Sequence, residues 1–204
     1  MDVCRSTIAD GLSTAFTLSE TFHMNVTAGG AGRALLWIAF VVWSISLMSA
    51  PMTAASASFL HMINLPFHEA GHIIFSPFGH YLMVLGGSLT QVLVPAICAG
   101  ALLLQTGDQF GAALCVWWMG ENLLDLAPYI NDARSLQLML LGGPAAEVEG
   151  HDWEALLEPL QWLHLDHTIA HGAIVIGIAI MIGALTWALI GLMSGAGRVS
   201  GVDG

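Results

Sequence analysis

Charged residues are scarce in this sequence, and basic residues are nearly absent. Only 9% of the 204 residues are Asp, Glu, Lys or Arg, whereas a soluble domain carries about 25%. Four arginines and no lysine stand against 15 acidic residues. The chain therefore lacks the basic surface that binds nucleic acid and the polybasic segments that dock on anionic lipid. With 56% hydrophobic residues, the composition favours an integral membrane protein and argues against nucleic acid as a partner.

Cysteine is also too rare to build a framework. Cys4, Cys98 and Cys115 are odd in number and scattered, so neither a set of disulfides nor a cysteine-based zinc site is expected. Residues 1–33 are polar and lack an apolar stretch followed by a small-residue cleavage site, so we expect no cleavable signal peptide. We predict a flexible or surface-lying tail over 1–33 and a second flexible tail over 194–204.

Long apolar runs are abundant. Their lengths predict an all-α fold, a polytopic bundle of about five transmembrane helices within residues 34–193. The predicted spans are 34–50, 59–78, 81–105, 110–130 and about 167–193, with an amphipathic, acidic loop over 135–166. In such a five-span arrangement, Arg33 and Arg134 fall on the same side of the bilayer. We expect a multi-pass protein of a bacterial cell membrane, in contact with the lipid bilayer.

The segment His68-Glu69-Ala70-Gly71-His72 carries the strongest chemical signal. Helix positions i and i+4 lie one turn apart on one face, so His68 and His72 can direct imidazole nitrogens at one metal ion. Glu69 follows the first histidine directly, and its carboxylate can reach a water on that metal. Two histidine ligands and a glutamate base are the arrangement of zinc hydrolases. Ionisable groups are costly inside a bilayer, which makes this cluster a functional hypothesis.

A second polar segment lies on the fourth predicted span. Glu121, Asn122 and Asp125 share one helix face by their spacing. No lysine or arginine lies nearby in the same helix, so the two carboxylates need a metal, a proton or a remote partner. Pro128 is expected to break the helix and to leave Asp132 on irregular backbone, which is tolerated at membrane depth where it lines a protein cavity.

Histidines cluster again at the start of the last span. His164, His167 and His171 have i, i+3, i+7 spacing and therefore line one helix face. An imidazole that faces hydrocarbon leaves a polar nitrogen unpaired at considerable cost. We therefore predict that His167 and His171 turn inward, toward the HExxH helix or the acidic loop, as accessory groups of the working cavity.

Three segments together resemble the site-2 protease family of intramembrane zinc metalloproteases. Residues 68–72 are similar to the active-site helix of that family. Residues 87–91 are similar to its G-x-x-x-N segment, with glutamine in place of asparagine. Asn122, Pro128 and Asp132 resemble its N-x-x-P-x-x-x-x-D-G run. No PDZ-like soluble domain is present, so the sequence resembles a minimal member.

The resemblance implies which residues act and what they act on. His68, His72 and Asp132 would bind Zn²⁺. Glu69 would be the general base for hydrolysis of a peptide bond in or beside a transmembrane segment of a protein or peptide substrate, and Asn122 would orient that substrate.

The match departs from the family in its last run. Ala133 replaces the glycine after the aspartate, the spacing from Pro128 to Asp132 differs, and Asp125 is an extra carboxylate. The third metal ligand is therefore open between Asp132, Asp125 and a C-terminal histidine.

Two other functions fit parts of the pattern. A His-rich di-iron hydroxylase or desaturase would use several of the histidines, although the HxxHH box of such enzymes is absent. The histidines that this hypothesis needs are His68, His72, His151, His164, His167 and His171. A non-catalytic metal-binding membrane protein would keep the ligands without turnover. The sequence does not indicate an oligomeric state.

Overall fold

The computed structural model describes residues 30–140, 143–144 and 150–199, and the side chains of these residues apart from 140, 144 and 194–199. Most of the predicted N-terminal tail and the last five residues of the predicted C-terminal tail lie outside this part. The first helix begins at Gly30, inside the predicted tail, and the last helix continues to Val199, past the predicted boundary at 194.

Helices make up almost all the regular structure of the described residues, as predicted. In chain order they are α1 (Gly30–Ser49), α2 (Phe59–Phe75), α3 (His80–Ala101), α4 (Gln109–Asn131), α5 (Asp152–Leu157) and α6 (Asp166–Val199). Short 3₁₀ turns at Ser76–Phe78 and Leu163–Leu165 precede α3 and α6, and a π turn at Leu102–Thr106 extends α3. Two antiparallel two-residue strands, β1 (Met139–Leu140) and β2 (Gly143–Pro144), follow α4.

Pro128 does not break α4, contrary to the prediction. The helix continues to Asn131, and Asp132 N still donates to Pro128 O over 3.1 Å. A proline removes only its own N–H from the helix ladder, and near the end of a helix few bonds remain to be disturbed. Asp132 is therefore the C-cap of α4 rather than part of an irregular segment.

The helices pack through small residues and aromatic rings. A Cβ on Gly120 of α4 would lie 2.7 Å from Gly177 O of α6, so the two backbones touch. Small residues permit such close approach between membrane helices. On the other side of α4, the buried Trp117 ring stacks edge-on against Phe40 of α1 at 4.6 Å, and its Nε1 donates to Ser44 Oγ over 2.7 Å.

Glycines also bring α2 and α3 together, and this contact positions the HExxH segment. A Cβ on Gly86 would lie 2.6 Å from Gly71 O, in the middle of the motif. Gly79, with φ of 96°, reverses the chain between the two helices in a conformation that favours glycine. The consequence is that the histidines of α2 lie directly against the start of α3.

Three helices are long and apolar enough to cross a bilayer, as expected of a membrane protein. They are Gly30–Ser49, His80–Thr106 and Leu163–Met193. The two other long helices differ: α2 has only 17 residues, and α4 carries the buried Glu121 and Asp125.

Two ion pairs fix which helix ends are neighbours. Arg33, at the start of α1, bonds Asp108 at the start of α4 over 3.2 Å. Arg134, just beyond the end of α4, bonds Asp166 at the start of α6 over 2.8 Å. Arg33 and Arg134 therefore lie at opposite ends of α4.

Candidate metal centre

His68 and His72 lie on one face of α2, as their spacing predicts, and both point at the same carboxylate. His68 Nε2 lies 2.8 Å from Asp152 Oδ2, and His72 Nε2 lies 3.3 Å from the same oxygen. His68 and Asp152 are buried and His72 is half-buried. Ligand atoms of these three residues all lie within 4.8 Å of one another, a spacing that suits one metal ion.

The opposite nitrogens of both rings face hydrogen-bond acceptors. His68 Nδ1 lies 3.1 Å from Gln91 Oε1, and His72 Nδ1 lies 3.0 Å from the backbone oxygen of Met83. A neutral imidazole has one N–H, and an acceptor opposite Nδ1 draws the hydrogen there. Both Nε2 atoms then present lone pairs toward Asp152.

This donor set fits a divalent metal. Two nitrogen lone pairs and a carboxylate oxygen repel one another unless a cation or protons lie between them. Two histidines and one carboxylate, with each imidazole oriented by an outer hydrogen bond, are the ligand set of catalytic zinc sites that keep one position open. Gly87 leaves the necessary room, because a Cβ there would lie 2.7 Å from His68 Nε2 and 2.6 Å from His72 Nε2.

Asp152 is held in place by residues outside α2, the helix that carries His68 and His72. It is the first residue of α5, and its backbone N–H donates to Tyr129 Oη over 2.9 Å. His151 caps the same helix by accepting a hydrogen bond from Glu154 N at its Nδ1. Burial by itself would raise the pKa of the Asp152 carboxyl, but the hydrogen bonds to His68 and His72, which form when protons rather than a metal lie between these groups, outweigh burial and hold this pKa below its usual range.

Asp132, the first choice for the third ligand, is not in this group. Its Oδ1 accepts from Ser135 Oγ over 2.6 Å and from Gln137 N, and its Oδ2 accepts from Leu138 N. Burial would raise its pKa, but these hydrogen bonds keep the pKa below its usual range. Its Oδ2 also lies 3.6 Å from His151 Nε2. Asp132 therefore holds the chain just after α4 and lies outside the group formed by His68, His72 and Asp152.

Asp125, the second choice, lies one side chain further from the histidines. Its Oδ2 accepts from Gln91 Nε2 over 2.9 Å, and Gln91 in turn contacts His68. Asn122, predicted to orient substrate, is completely buried and donates from Nδ2 to Trp118 O of its own helix over 3.0 Å. It does not line the cavity described below, so the structure does not support a contact between Asn122 and a substrate.

The C-terminal histidines do not turn inward, contrary to the prediction. The His167 side chain is 56% exposed, and His164 and His171 are exposed as well. The buried face of this part of α6 is formed by Asp166 and Ala170, both 0% exposed. Asp166 satisfies its charge with Arg134, so the inward polar position is already taken.

A cavity of about 990 Å³ opens beside the candidate metal group, which is formed by His68, His72 and Asp152. Glu69 is exposed and lines it together with His68, His72 and Asp152. Most other lining side chains are apolar, and neither of the described arginines is among them. The apolar lining includes Met62, Leu65, Met83, Val84, Leu126, Pro128, Leu138 and Met139. The Glu69 carboxylate and the two histidines thus line one largely apolar cavity, whose volume is typical of a ligand site.

Comparisons with protein-family models, with curated proteins and with solved structures return no match for this chain.

Proposed function

We propose that this protein is a zinc-dependent peptide hydrolase that acts in or beside membrane-spanning segments. The observation that carries the proposal is the convergence of His68 Nε2, His72 Nε2 and Asp152 Oδ2 next to a cavity that also contains Glu69. The resemblance of the HExxH segment to site-2 proteases points the same way.

Each residue has a distinct role in this proposal. His68, His72 and Asp152 hold the metal, and Gln91 and the Met83 carbonyl orient the two imidazoles. When bound, zinc polarises a carbonyl and lowers the pKa of water. Glu69 takes a proton from the attacking water and passes it to the leaving amine nitrogen. The apolar cavity holds the substrate segment and limits access of bulk water.

We also propose four membrane crossings, by α1, α3, α4 and α6, which revises the sequence-based estimate of about five. Because Arg33 pairs with Asp108, α1 and α4 start at the same end. Met52, just after α1, packs against Leu126 and Ile130 near the other end of α4, so α1 reaches that end. In this arrangement α2 makes no crossing of its own, and its buried polar side chains, Asn64 and His68, face the bundle and not lipid.

The test combines metal content with cleavage. Purified wild type should contain about one zinc per chain and should cleave a quenched fluorescent peptide whose apolar sequence is long enough to cross a bilayer. Glu69→Gln should keep the zinc and lose cleavage, because the carboxylate acts on water and not on the metal. Full activity of Glu69→Gln would refute the proposed mechanism.

The same measurements decide between the alternatives. One zinc per chain without cleavage of any membrane peptide would favour a non-catalytic metal-binding protein. Two irons per chain would favour the di-iron hypothesis, which the structure does not support, because the exposed His164, His167 and His171 lie outside the group formed by His68 and His72.

A further inference from the structure

A chain of buried hydrogen bonds leads away from the metal centre through His68. His68 Nδ1 bonds Gln91 Oε1 over 3.1 Å, and Gln91 Nε2 donates to Asp125 Oδ2 over 2.9 Å. Gln91 is 4% exposed and Asp125 is 5% exposed. With little water to compete, the polarity of each group is set by its neighbour.

The donor and acceptor roles along these hydrogen bonds are fixed from Asp125 to His68. Gln91 Nε2 donates to Asp125 Oδ2, so the NH₂ group of Gln91 faces Asp125. The Gln91 oxygen then faces His68 and requires a hydrogen on Nδ1. The lone pair of His68 is thereby left on Nε2, the nitrogen that faces Asp152.

Asp125 is itself held by donors from α2. His61 Nδ1 donates to its Oδ1 over 2.8 Å, and Asn64 Nδ2 donates to its Oδ2 over 3.0 Å. Trp118 Nε1 donates to Asn64 Oδ1 over 2.8 Å and so fixes the orientation of that amide. These donors hold both carboxylate oxygens of Asp125 in place independently of Gln91.

The two histidines differ in what orients them. His72 is oriented by the Met83 carbonyl, which belongs to the backbone and cannot reverse its polarity. His68 is oriented by the side-chain amide of Gln91, whose oxygen and NH₂ group are similar in size but opposite in hydrogen-bonding role. A reversed amide would present NH₂ to Nδ1 and would shift the ring hydrogen to Nε2, where it blocks the metal.

We propose that Gln91 and Asp125 are positioning residues, and that Asp125, acting through Gln91, keeps His68 in the form that binds the metal. This inference rests on the proposed metal centre. It gives the extra carboxylate of α4 a function although Asp125 is not one of the proposed metal ligands.

The test measures zinc affinity by competition with a chromophoric chelator. Gln91→Met keeps the side-chain length and removes the acceptor, and should weaken zinc binding about 10–100-fold. Asp125→Ala should also weaken zinc binding. Asp125→Asn should stay close to wild type, because its carbonyl still accepts from Gln91 while the neutral His61 ring can accept from its NH₂ group.

A double variant separates positioning from general damage to the fold. If Asp125 acts through Gln91, the pair Gln91→Met with Asp125→Ala should bind zinc no more weakly than Gln91→Met alone. Independent structural damage predicts additive losses and would overturn the inference. In zinc-loaded wild type the His68 Nδ1–H should give a slowly exchanging NMR signal, which should disappear in Gln91→Met.

The outcomes also distinguish this inference from the proposed function. Wild type that binds no zinc would refute both. Wild type that binds zinc, together with Gln91→Met that binds it equally well, would refute the positioning role and leave the metal centre intact. Gln105→Met is the matched control, since it makes the same substitution at an exposed position outside the cavity and should leave zinc affinity unchanged.

Discussion

A single methyl group at Gly87 is expected to abolish metal binding. The Cβ of Gly87→Ala would lie 2.7 Å from His68 Nε2 and 2.6 Å from His72 Nε2, whereas ordinary contact begins at 3.4 Å. The rings must therefore retreat by about 0.7–0.8 Å, or the methyl group must occupy the space between them. Zinc sites tolerate deviations of only about 0.2 Å from a Zn–N distance of about 2.0–2.1 Å. We expect zinc affinity to fall by at least about 100-fold, the upper end of the loss caused by disturbed supporting groups.

Gly100→Ala on the same helix is the matched control for Gly87→Ala. It meets no atom within 4 Å, so it should keep zinc affinity and stabilise α3 by about 0.5–1 kcal/mol. The assay is zinc titration by chelator competition, with thermal unfolding to show that both variants fold. If Gly87→Ala bound zinc as tightly as wild type, the metal could not lie between the two Nε2 atoms, and the proposed centre would be wrong.

Three further predictions address other parts of the account. His167→Ala and His171→Ala should leave zinc content and cleavage unchanged, because both side chains are exposed away from the cavity; loss of zinc in either variant would show that the inward-facing prediction was correct after all. The Asp132 carboxylate should stabilise the fold fully above its unfolded pKa of about 3.9, and this stability is lost as pH falls through its lower folded pKa. Asp132→Asn should remove this contribution to the acid dependence of the unfolding free energy, and an unchanged acid dependence would contradict the prediction. In a background without the native cysteines, cysteines placed at Gly32 and Thr106 should react with an impermeant maleimide from the same side of a vesicle. A cysteine at Ser135 should react only from the opposite side, and labelling of positions 32 and 135 from the same side would support five crossings.

The local sequence pattern was enough to predict the helices and the common face of His68 and His72. The i, i+4 spacing of His68 and His72 fixed their common face, because helix geometry depends on neighbours along the chain. The contact of α2 with α3 at Gly71 and Gly86 agrees with the tendency of small residues to bring helix backbones close together.

The third member of the metal group could not be derived from local pattern. Asp152 is 84 residues from His68, and its position depends on Tyr129, on the His151 cap and on the fold of the segment after α4. The one signal was the His151-Asp152-Trp153 sequence at the start of an amphipathic stretch, where an N-terminal aspartate suits a helix start. Asp132 was favoured instead because Pro128 was expected to break the helix before it, and this break does not occur.

The inward face of α6 was mispredicted for a different reason. The spacing of the histidines placed them correctly on one face, but spacing alone does not say which face is buried. The pairing of Asp166 with Arg134 decides this, and it turns the histidines outward. Because histidine is costly in lipid, His167 and His171 were assumed to be buried within the protein. They lie instead on an exposed face at the start of α6.

The most direct test of the central claim is the zinc content of Asp152→Ala beside that of Asp132→Ala, measured by mass spectrometry on purified protein at equal chain concentration. The two variants remove the same group from positions linked through His151. Asp152→Ala should lose most of its zinc, because it removes a ligand, and Asp132→Ala should keep about one zinc per chain. The reverse result, with zinc lost in Asp132→Ala and retained in Asp152→Ala, would contradict the metal centre described here.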